Sequence, residues 1–145
     1  MTNRLITSQC EDDLIDGFTK ELLRQAIESV TTKGVFNLVL SDSSSLDSVY
    51  ARLMYDPDMR AIPWNEIHLW FIRNREDSLV IHSGIPEENV HDGKIDQEID
   101  CCILSCDDIS DVCTELRNSC NSFLIFSYNT TPPKWSHYGV AHWFC

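Results

Sequence analysis

A chain of 145 residues, 43% hydrophobic and 23% charged, is long enough to bury one core and too apolar to remain disordered. Its formal net charge of −12 excludes nucleic acid and anionic membranes as partners, because both attract a basic face. Residues 1–10 lack the basic-then-apolar layout of a secretory signal, and no apolar run reaches the ~18 residues of a membrane span, so a cytoplasmic protein is expected.

The first strong pattern runs from about Asp12 to Thr32. Leu14, Ile15, Phe18, Leu22, Leu23, Ala26, Ile27 and Val30 recur at helical spacing, and Gly34 follows as a stop signal. Val35 to Leu40 (VFNLVL) is a short apolar run and reads as a buried strand. After a polar loop over 41–45, helical spacing returns from Leu46 to Tyr55 and breaks at Asp56-Pro57-Asp58. Ile67 to Ile72 (IHLWFI) is a second buried strand, and a short helix from Glu76 to Ser83 ends at Gly84. Cys101 to Ser105 gives a third strand, Asp108 to Leu116 a helix, and Ser122 to Phe126 a fourth strand.

Alternation of strand and helix predicts an α/β fold with a mainly parallel sheet and helices on both faces. The central strands are expected at Val35–Leu40, Ile67–Ile72 and Cys101–Ser105. No repeat or linker divides the chain, so residues 1–145 read as one domain. The segment 132–145 carries Trp135, Tyr138, Trp143 and Phe144, which either pack back on the sheet or form an exposed aromatic tail. Seven cysteines occur without the ligand spacing of a zinc module, so buried free thiols are expected and no metal or cofactor.

Four segments in order make the chain resemble the 6-phosphogluconolactonase family. Phe36, Leu38, Leu40, Ser41, Ser44, Tyr50 and Leu53 follow that family's strand-loop-helix unit, with Ser45 in place of threonine. Trp64, Ile67, Leu69, Trp70 and Phe71 fit its second strand, with Arg75 on the arginine of an Asp-Glu-Arg motif. Ile85-Pro86-Glu87-Glu88-Asn89-Val90-His91 reproduces an I-P-x-E-N-V-H phrase. Asp100 to Leu104 fits the strand before the catalytic loop, and Thr114 falls on that loop's serine. The resemblance covers about Glu21 to Arg117. It implies the sugar-phosphate isomerase-like α/β fold, shortened here.

The functional positions depart from the family. A phosphate is held by backbone N–H groups in a tight loop at a helix N-terminus. The two glycines of that loop are Asp42 and Ser43 here, and both residue types are ordinary helix N-caps. The family's Asp-Glu-Arg is Arg73-Asn74-Arg75. The histidine that the resemblance casts as the base activating water falls on Asp111, a side chain about 2.6 pKa units less basic than imidazole. No catalytic residue is therefore expected. A vestigial ligand site would comprise Ser41, Ser44, Ser45, Arg73, Arg75 and Asp111, with Arg73 and Arg75 sharing one face as a weak anion site.

Three readings follow: a non-catalytic interaction or regulatory module, a working lactonase of the pentose phosphate pathway with a rearranged site, and a binder of another small anionic ligand. Simultaneous loss of base, acids and phosphate loop favours the first, a pseudoenzyme. A shortened sheet also predicts a homodimer or a protein partner covering its exposed surface.

Overall fold

The computed structural model describes residues 2–145. In chain order it contains β1 (Thr2–Ile6), α1 (Glu11–Lys33), β2 (Phe36–Leu40), α2 (Asp47–Tyr55), β3 (Ile67–Phe71), α3 (Asp77–Ser83), β4 (Cys101–Ser105), α4 (Thr114–Ser119), β5 (Ser122–Phe126) and β6 (Val140–Phe144). All six strands are parallel, in the order β1-β6-β5-β4-β2-β3.

The apolar period of α1 becomes its sheet-facing stripe. Leu14, Phe18 and Leu22 are each at most 1% exposed, and such burial contributes on the order of 2 kcal/mol apiece. Glu11, Asp12 and Asp13 occupy the helix's positive N-terminal turn. At the other end Gly34 takes the left-handed conformation (φ 81°) and donates its N–H to Val30 O, which stops the helix.

Side chains alternate across the sheet and build two cores. One face carries Phe36, Leu38, Leu40, Ile67, Leu69, Ile103, Leu124 and Phe126 against α1, α2 and α3. The other carries Val39, Trp70, Cys102, Leu104, Phe123, Ile125 and Trp143 against Leu116 of α4, Val112 and Trp135. Helices therefore cover both faces, as expected. Cys101, Cys102 and Cys120 are buried free thiols whose pKa values burial pushes up, that of Cys120 to about 12.

Two expectations are corrected, and the open alternative for the aromatic segment is decided in favour of packing on the sheet. Ile67–Phe71 lies at the edge of the sheet rather than its centre, paired with β2 on one side and bridged on the other only through Leu69 and Val90. Its apolar character reflects burial through its two faces, not central pairing. Asp108–Leu116 is not one helix: a 3₁₀ turn at Cys106–Asp108 and an irregular stretch precede the short α4. The Asp108 side chain accepts from Ser105 N and competes with helix propagation. The aromatic segment is not a loose tail. Val140–Phe144 is a strand between β5 and β1, and Trp135, Trp143 and Phe144 are buried, whereas Tyr138 is 56% exposed. Among the described residues no helix is long and apolar enough to cross a membrane.

Candidate functional site: the crevice after β2 and β4

In an open α/β sheet, ligands bind outside the carboxyl ends of the strands where the strand order reverses. Here the chain steps from β2 outward to β3 and returns across β2 to β4. The crevice therefore lies between the loop after Leu40 and the loop after Ser105, with the residues following β3 beside it.

The side chains in this crevice bond to one another. Arg73 donates from Nε to Asp42 Oδ1 (2.7 Å) and from a terminal nitrogen to Asp111 Oδ2 (3.0 Å). Its other terminal nitrogen donates to Ser41 Oγ (3.1 Å) and to Asp108 Oδ1. Asp108 is 1% exposed. Its second oxygen accepts from Ser105 N (2.8 Å) and Ser105 Oγ (3.1 Å). Ser105 Oγ also lies 2.9 Å from Ser43 Oγ, and Ser45 Oγ donates to Asp107 Oδ2 (3.0 Å), so the two loops are joined directly. Tyr50 OH donates to Ser41 O (2.6 Å) and fixes the first loop from below.

Electrostatics follow from this geometry. The carboxylates around it, Asp108 foremost, hold the Arg73 guanidinium charged, its pKa raised above the ordinary arginine value. Burial pushes the Asp42 carboxyl up, but its bonds to Arg73 and Asn74 outweigh burial and hold its pKa below the usual value. A phosphate dianion arriving here would meet three carboxylates whose shared cation is already bonded to all of them.

Of the six residues expected at a vestigial site, Ser41, Arg73 and Asp111 meet in one network. Ser45 joins its rim through Asp107. Ser44 is exposed at the start of the 3₁₀ turn and lines a neighbouring depression of about 430 Å³ with Ser127, Tyr128 and Thr130. Arg75 does not belong. It lies beyond the end of β3 and pairs with Asp77 Oδ1 (2.6 Å) and Glu87 (2.7 Å), so the expected anion site between Arg73 and Arg75 is not formed. The helix-capping expectation holds for Ser43, whose Oγ accepts from Ser45 N (3.3 Å). Asp42 instead turns to Arg73 and Asn74. Sequence reading missed Asp108, the most buried of the carboxylates. Its signal was Ser105-Cys106-Asp107-Asp108, a Ser-x-x-Asp capping box.

No histidine reaches this network. His68 and His91 face each other, Nδ1 to Nε2 at 2.8 Å, against Trp70 on the second face. Among the described residues no group of three or more His, Cys, Asp or Glu could hold a metal ion.

The six-stranded all-parallel sheet with helices on both faces defines an open α/β fold. No family model and no curated protein matches the sequence. Solved structures do match in fold. A 6-phosphogluconolactonase from Thermotoga maritima superposes with a TM-score of 0.73 at 15% identity, covering 99% of this chain and 99% of that one. A structure described as devB protein gives 0.68 at 11% identity, covering 98% and 95%. A 6-phosphogluconolactonase from Shewanella baltica gives 0.60 at 12% identity, covering 86% and 80%. The chain thus has the fold of 6-phosphogluconolactonases, and at these identities the likeness is one of fold.

Proposed function

We propose that this protein is a 6-phosphogluconolactonase-like chain without lactonase activity, which acts through contacts with other protein chains. The observation that carries this reading is Arg73 bonded at once to Asp42, Asp108 and Asp111 across the crevice. A substrate phosphate would have to displace those bonds. Asp111, at the position of the family's base, spends its carboxylate on an ion pair rather than on water.

The unmodified protein is expected to hydrolyse 6-phosphogluconolactone no faster than the spontaneous reaction. Asp111→His is expected to restore nothing, because Arg73 stays bonded to Asp42 and Asp108 and the backbone donors of a glycine loop are still missing. Turnover above background that disappears in Asp111→Ala would overturn this reading.

The proposed contact is self-association through β1. Thr2–Ile6 pairs on one side only. Thr2 N and Ile6 O bond inward, to Gly139 O and Cys145 N. In a parallel ladder the intervening Asn3 and Leu5 then turn their backbone groups outward. Leu5 is also 62% exposed. Two such edges pairing antiparallel would satisfy those groups, while the −12 charge on each copy opposes association at low salt. Light scattering is expected to show a dimer that strengthens with ionic strength and weakens in Leu5→Lys. A monomer at every concentration and salt would exclude it.

A further inference from the structure

The strand ends opposite the crevice carry a second concave site. A groove of about 330 Å³ runs between the C-terminal half of α1 and the face of β1, β6 and β5 that α1 covers. Arg4, Arg24, Lys33 and His142 line it, against Glu28 and Asp100. Three cations face these two carboxylates and Glu21 beside them, a local balance near neutral in a chain of charge −12.

The cations are not equivalent. Arg24 is bonded to Glu21 and Glu28 (2.6 and 2.7 Å), and Lys33 is bonded to Asp100. Arg4, paired with His142 in strand register, forms no ion pair among the described residues, so its donors are available. His142 is 7% exposed. Among the described residues neither of its ring nitrogens makes a hydrogen bond, and the nearest carboxylate oxygen, Glu21 Oε1, stands 3.7 Å from Nε2. Glu21 is already taken by Arg24 and Gln25. Neither ring nitrogen is fully enclosed, so the groove reaches the ring and admits a hydrogen-bond partner there.

We propose that this groove binds a small oxyanion, a carboxylate or phosphate group, between the Arg4 guanidinium and the His142 imidazolium. The interaction is distinct from the crevice and independent of whether the protein is a lactonase. Burial holds the free His142 pKa down; Glu21 pulls it up, and Arg4 and Arg24 push it down again. A bound anion adds negative charge beside the ring and raises that pKa. Binding therefore takes up a proton, and affinity rises as pH falls through the bound-state pKa. The other charged groups facing the ring environment are Glu28, paired with Arg24, and Lys33 and Asp100, paired with each other.

The test is an NMR titration of the full chain, following the histidine ring signals with inorganic phosphate and with acetate, against sodium chloride at matched ionic strength. Saturable shifts of His142 are expected with phosphate, acetate or both, and which of them acts identifies the anion. Arg4→Gln, an exposed substitution, is expected to weaken binding about tenfold through loss of a charge-assisted hydrogen bond. With acetate, which stays ionised across the imidazole range, His142→Gln should leave weak binding without pH dependence. Equal shifts with chloride, no shift with either oxyanion, or full binding in Arg4→Gln would overturn the assignment.

Discussion

Arg73→Ala is expected to destabilise the fold by about 3 kcal/mol at neutral pH, because it strands a buried carboxylate. Asp108 is 1% exposed and loses its charged partner, while Ser105 N and Oγ continue to hold it in place. Truncation on the other side, Asp108→Ala, removes the capping box as well and should cost at least as much. The discriminating variant is the double mutant Arg73→Ala/Asp108→Asn. It replaces the stranded charge with a neutral amide and is expected to recover much of the loss.

The pH dependence has a definite sign. In the intact protein Arg73 helps hold the Asp42 pKa low, so this contribution is present above the ordinary carboxylate pKa and fades as pH falls. In Arg73→Ala the contribution of the Arg73–Asp42 pair is absent at every pH. The gap between the two proteins should therefore close in acid. Urea unfolding at about pH 7 and about pH 4.5 measures both quantities. A cost under about 0.5 kcal/mol at neutral pH, the range of an exposed ion pair, would mean the network holds nothing together.

The parts of this fold that the sequence announced are those whose faces are both dry. β2, β4 and β5 read as apolar runs because helices or the aromatic segment cover each side, and α1 reads as helix because its stripe is long. β1 was silent: Thr2-Asn3-Arg4-Leu5-Ile6 is an exposed edge strand whose place is set by pairing with β6, not by hydrophobicity. β6 was visible only as a group of aromatics, because His142 interrupts its apolar face with a polar ring turned toward α1. At the crevice, motif register located Ser41, Arg73 and Asp111 in sequence but said nothing of their partners. Arg73 and Arg75 looked equivalent two residues apart. They diverge because the chain leaves β3 at Phe71 and the backbone no longer alternates. Asp108 was read into a helix because its neighbours fit a helical period, whereas its own short side chain bonds back to Ser105 and turns the chain first.

Gly139→Ala should be among the most damaging single substitutions outside the core, at about 2–4 kcal/mol. Gly139 has φ 75°, and an added Cβ would lie 2.2 Å from Asn121 O, 2.7 Å from Asn121 C and 2.9 Å from Cys120 O. All three are backbone atoms at the start of β5, so no side chain can move aside. The peptide around Gly139 aligns three strands: Val140 N donates to Asn121 O, and Thr2 N donates to Gly139 O. Relieving the clash must lift the start of β6 from β5 and carry β1 with it. Gly34→Ala supplies the control, since Gly34 has a similar φ of 81° but nothing within 4 Å of its added Cβ. Backbone strain alone should cost that variant about 1 kcal/mol. Hydrogen exchange should then show Thr2–Ile6 and Val140–Phe144 losing protection together in Gly139→Ala and keeping it in Gly34→Ala. Equal destabilisation of the two variants would mean that the approach of Gly139 to Asn121 does not set the register of the last two strands.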